Sequence, residues 1–135
     1  MSRLMPGASR LWLFLGALNG LISVAAGAYG RHGALEPAGR EMFTIASQYQ
    51  MAHGLALLVV AWLASREPAG RRLSVSTVAG AGFALGIVLF CGSLYAFGVT
   101  GLVPVTGAAP AGGWLMMAGW LALMWAAVRG AGPAP

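Results

Sequence analysis

Leu73-Ser74-Val75-Ser76-Thr77-Val78-Ala79-Gly80 opens a run of 56 residues, closed at Val128, that holds no formally charged side chain. A helix rising ~1.5 Å per residue crosses a ~30 Å hydrocarbon core in about 20 residues, so this run is too long for one crossing. Pro104, Pro110 and several glycines between Thr100 and Gly113 divide it, because proline and glycine clusters punctuate regular structure. Two helices are expected, over residues 74–99 and 113–128. Upstream, 24 uncharged residues between Glu41 and Arg66 give a helix over 39–65, entered at Glu36-Pro37, since proline suits a first helical turn. Another 20 between Arg10 and Arg31 give a helix over 11–30.

Composition agrees with this reading. Of the 135 residues 59% are hydrophobic and only 8% are charged, against about 25% charged in soluble domains. The expected fold is all-α, an integral membrane four-helix bundle forming a single domain over 1–135. Arg3, Arg10, Arg66, Arg71, Arg72 and Arg129 fall on one side of such a bundle, and Arg31 and Arg40 on the other. Arginine accumulates in short cytoplasmic segments, so both termini are expected in the cytoplasm of a multi-pass inner-membrane protein. Trp12, Trp62 and Trp125 then fall at the cytoplasmic interface, and Tyr29, Phe43 and Trp114 at the opposite one, as an aromatic belt. A competing reading makes the first helix a signal peptide cleaved near Ala26-Gly27-Ala28, but its apolar run exceeds the ~7–15 residues of an ordinary signal.

Several function classes drop out. The net charge of +5 comes from dispersed arginines without interleaved aromatics, which does not make a nucleic-acid surface. Cys91 is the only cysteine, leaving no intrachain disulfide and no multi-thiolate metal site. His53 lies fourteen residues beyond Gly39, ~21 Å deeper along a helix, whereas His32 sits at the end of the first helix, so one metal does not reach both. No phosphate-binding glycine loop, nucleophile–base arrangement or carboxylate pair appears. Neither an enzymatic activity, a metal nor a cofactor is expected.

Polar side chains in lipid are costly and face a protein interior or a cavity. Gln48-Tyr49-Gln50-Met51-Ala52-His53 places several in the second helix. Asn19 lies near the middle of the first helix and His53 near the middle of the second, so the two share a depth. An intramembrane cluster of Asn19, Ser23, Tyr49, Gln50, His53, Ser93 and Tyr95 is expected, with Gln48 off the stripe. Gly16, Gly20 and Gly27 on the first helix, and Gly82 and Gly86 on the third, form small-residue faces on which another backbone packs closely.

Taken together, Gly27-Ala28-Tyr29-Gly30-Arg31-His32-Gly33, Tyr49-Gln50-Met51-Ala52-His53, Phe90-Cys91-Gly92-Ser93-Leu94-Tyr95, Gly112-Gly113 and Gly119-Trp120 resemble the YgdD/YwdK-like family of small membrane proteins (transmembrane protein 256-like; domain of unknown function 423). Cys91 stands where the family has a serine, and Val103-Pro104-Val105-Thr106 departs from its usual Thr-Pro-hydrophobic-Gly-Gly. The resemblance implies a four-helix bacterial inner-membrane protein and brings no reaction or cofactor with it. The residues favour a non-enzymatic interaction or accessory module whose partners are the bilayer and a second copy or other membrane proteins. The alternative is binding or permeation of a small lipophile or proton at the cluster around His53.

Overall fold

The computed structural model describes residues 7–68 and 73–130. Four helices follow in order: α1 (Gly7–His32), α2 (Pro37–Ala64), α3 (Val75–Thr100) and α4 (Ala108–Arg129), with no strand among the described residues. Arg3, Arg71 and Arg72, counted above for topology, lie outside the described residues. By length and composition α1, α3 and α4 are each able to cross a membrane, with mean hydropathies of 1.7, 2.0 and 1.5. α2 is as long but carries Gln48, Gln50 and His53. It packs on α1 along one side and on α3 along the other, while α4 packs on α3.

Glycine sets how closely these helices approach. A Cβ added at Gly16 would lie 2.6 Å from Leu58 Cδ2 and 2.9 Å from the Gly54 carbonyl oxygen, so α1 and α2 meet there backbone to backbone. Towards the other end of the same pair Gly30 abuts Phe43, and Gly39 meets Gly98 where α2 enters beside the end of α3. On α4, Gly112 and Gly119 receive α3: a Cβ at Gly86 would reach 2.9 Å from the Gly112 oxygen, and one at Gly82 would reach 2.8 Å from the Leu115 oxygen. Removing the side chain lets main chains touch, and dispersion between helices replaces the hydrophobic drive that lipid does not supply. Ala46, Leu57, Val60, Ala79 and Phe83, all fully buried, fill the space between.

The helix ends follow local chemistry. Glu36 caps α2 with Pro37 in its first turn, and the Arg40 guanidinium closes the preceding connection by donating to the carbonyls of Leu35, Arg31 and Gly33. Ser74 caps α3 by accepting from the Thr77 amide, and Glu67 accepts from the Ser76 amide and hydroxyl, placing an anion at the positive end of that helix. α3 ends at Gly101, whose left-handed φ of 70° disfavours any side chain.

Two expectations change. α4 starts at Ala108 instead of Gly113, because left-handed Gly107 (φ 85°) precedes it and Pro110 lies within the first turn, where its missing N–H costs nothing. Two of the belt aromatics turn inward: Trp12 is buried against Gly80 of α3, and Phe43 is buried between Gly30 and Gly98. Trp62 and Trp125 do face outward, with the guanidinium groups of Arg66 and Arg129 over their rings at 5.0 and 4.5 Å.

Candidate functional site

α2 turns one face towards α1 and the other towards α3, and Gln50 reaches both. Its Nε2 donates to Asn19 Oδ1 of α1 at 2.9 Å, and its Oε1 accepts from the Tyr95 hydroxyl of α3 at 2.7 Å. Asn19 Nδ2 in turn donates to the Leu15 carbonyl at 2.8 Å. The bonds therefore share one direction, from Tyr95 through Gln50 and Asn19 to the α1 backbone, and each polarises the next. One helical turn along α2, His53 makes the link to α4. Its Nε2 lies 3.1 Å from the indole Nε1 of Trp120, and its Nδ1 lies 2.7 Å from the Tyr49 carbonyl. An indole only donates, so Nε2 accepts and the imidazole proton sits on Nδ1, bonded to that carbonyl. The ring is held among Tyr49, Phe83 and Trp120, with centroids at 6.0, 5.6 and 5.8 Å.

The expected cluster is thus divided. Asn19, Gln50 and Tyr95 form one chain of bonds, and His53 stands beside it with a different partner. Ser23 bonds the Gly20 carbonyl and Met51 Sδ, and Ser93 bonds the Leu89 carbonyl of its own helix. Tyr49 is 47% exposed and contributes its carbonyl and ring face, not its hydroxyl, to the surroundings of His53. Trp120 lies outside the expected cluster. The available signal was an indole N–H near the middle of an apolar helix, a donor that lipid leaves unsatisfied.

The glycines divide as well. Gly16, Gly82 and Gly86 are occupied inside the chain, Gly27 meets Ser47 Oγ at an ordinary 3.6 Å, and a Cβ at Gly20 would enter open space. Among the described residues no three His, Cys, Asp or Glu side chains gather closely enough to hold a metal ion.

Residues 26–113, which carry Gln50, His53 and Tyr95, match the family model described as "Protein of unknown function (DUF423)". The chain belongs to this family. DUF423 relatives are similar over most of their length. The UPF0382 membrane protein YwdK of Bacillus subtilis (strain 168) is 38% identical over 96 residues, 67% of this chain and 74% of the relative. A UPF0382 membrane protein of Haemophilus influenzae is 41% identical over 88 residues, covering 63% and 67%. One of Staphylococcus epidermidis is 38% identical over 96 residues, covering 67% and 73%. No solved structure matches. With these relatives and its apolar helices, the chain is a multi-pass bacterial membrane protein. Asn19, partner of Gln50, and Trp120, partner of His53, lie outside the span that matches the DUF423 model.

Proposed function

We propose that this DUF423 protein is a non-enzymatic accessory module, with both termini in the cytoplasm, that acts by lateral association with a second copy or with other membrane proteins. The observation that carries this reading is the saturation of His53 and Gln50: both imidazole nitrogens and both ends of the amide already have partners within the chain. The polar layer therefore resembles a fastening between helices more than a receptor for a ligand. α1 and α4 are the edges of the packing order, and they offer the surface for association. α1 presents Leu11, Phe14, Leu18 and Leu21 outward, and α4 presents Met117, Leu121 and Met124. Gly20, open on α1, adds a position where a neighbouring helix comes close. Arg10, Arg66 and Arg129 at one end of the bundle, against Arg31 and Arg40 at the other, support the orientation.

The reading as a proton or lipophile pathway draws no support from this layer. The bonds from Tyr95 through Gln50 and Asn19 end on the Leu15 carbonyl, and His53 is held by the Tyr49 carbonyl and Trp120, so among the described residues no hydrogen bond joins the two sets into one relay. The test is in-membrane crosslinking from cysteines placed on the outer faces of α1 and α4, followed by isolation in native lipid discs. Recovery of a second copy or a defined protein partner is expected. Recovery of monomer with lipid alone overturns the proposal.

A further inference from the structure

Between α1 and α2, on the side of their connection, an open groove of about 300 Å³ is lined by Gly27, Arg31, Thr44, Ser47 and Gln48. Arg31 is the single charged group in this lining, and its guanidinium has no partner among the described residues, whereas neighbouring Arg40 is committed to three carbonyls. Gln48 is exposed and its amide is likewise unbonded. It lies eleven residues into α2 past Pro37, or ~16 Å along the helix axis, so it sits below the headgroup level on a surface that faces lipid. The Thr44 and Ser47 hydroxyls give their protons to the carbonyls of Arg40 and Thr44, so the free donors of the groove are the guanidinium above and the amide below. Gly27 keeps the α1 wall low, with open room beyond Ser47.

We infer that this groove is a phospholipid site, in which Arg31 binds the phosphodiester and the Gln48 amide donates to an acyl ester carbonyl deeper in the same leaflet. A phospholipid carries an anion at the water boundary and, a few bonds below it, neutral carbonyl acceptors. That is the vertical order of the donors here, and a guanidinium is the side chain best matched to phosphate oxygens. A soluble phosphate ester would satisfy Arg31 and leave Gln48 unpaired in lipid.

The test is native mass spectrometry of the full chain released from micelles with phosphatidylglycerol, its diether analogue, or glycerol 3-phosphate added. The wild type is expected to retain the diester about threefold better than the diether, because the ether lacks the carbonyl. Q48L is expected to erase that difference, and R31Q to weaken both lipids about tenfold. Since Arg31 and Gln48 are exposed, neither change touches the core, and the diester–diether comparison on wild type requires no variant. The inference is overturned by equal retention of the two lipids by the wild type, or by unchanged binding in R31Q. Displacement of lipid by glycerol 3-phosphate overturns it in favour of a soluble ligand. Loss of a dimer in Q48L with lipid retention unchanged overturns it in favour of amide pairing between two copies.

Discussion

The indole N–H of Trp120 ends on Nε2 of His53, 3.1 Å away, and so determines which imidazole nitrogen carries the proton. Nitrogen NMR of the protein labelled at histidine is expected to show the Nδ1–H tautomer at His53. Trp120→Phe removes the donor, so the Nε2 resonance is expected to move while that of His32 does not. An unmoved His53 signal in Trp120→Phe would contradict the bond.

Gln50 bridges three helices, so it is expected to matter more than either neighbour. Gln50→Leu orphans Asn19 Oδ1 and the Tyr95 hydroxyl together and is expected to cost about 1–2 kcal/mol, whereas Tyr95→Phe removes one bond for ~0.6 kcal/mol. Reversible unfolding in mixed micelles measures both. Equal costs would mean that the amide is not shared.

Two glycines one turn apart on α1 are expected to behave oppositely. Gly16→Val drives a branched side chain into Leu58 and the Gly54 carbonyl, an overpacking worth about 1–3 kcal/mol. Gly20→Ala meets open space and raises helix propensity, so unfolding is expected to be unchanged or harder by up to ~1 kcal/mol. The same substitution is also a probe of association, because a Cβ at Gly20 would hinder a docked neighbour without harming the monomer.

Trp12 is 8% exposed and its indole N–H has no acceptor among the described residues. A buried unsatisfied donor costs ~1–3 kcal/mol, which offsets part of what the ring contributes by packing on Gly80. Trp12→Phe, which deletes the donor and keeps an aromatic ring, is expected to change stability by less than ~1 kcal/mol, against ~3–5 kcal/mol for Trp12→Ala. A loss in Trp12→Phe as large as in Trp12→Ala would show that the N–H is satisfied in the membrane.

Much of this structure was legible because charge is so scarce. Arg10, Arg31, Glu41, Arg66 and Arg129 bracket the apolar runs, and depth matching put Asn19 level with His53, within one turn of Gln50, its actual partner. What stayed hidden depends on rotation about the helix axis. Nothing in the spacing says that Ser93 turns to its own Leu89 carbonyl while Tyr95, two residues on, crosses to α2. Trp12 and Phe43 looked like belt residues because depth was known and facing was not. α4 starts at Ala108 and not at Gly113: Pro110 reads equally as loop or first turn, and the αL backbone of Gly107 resolves it only in three dimensions.

Because Gln50 of α2 bonds Asn19 of α1 and Tyr95 of α3, both ends of its amide have partners only when both neighbours are present. That constrains biogenesis. A nascent α2 alone in lipid would strand the Gln50 amide and His53 Nε2; pairing with α1 brings Asn19 to Gln50, while His53 Nε2 waits for Trp120 of α4. Tyr95 and Trp120 then arrive in chain order, each closing a bond that the previous helix left open. The polar contacts thus set an order of completion, in which α2 is paired first by the helix before it and then by the two that follow.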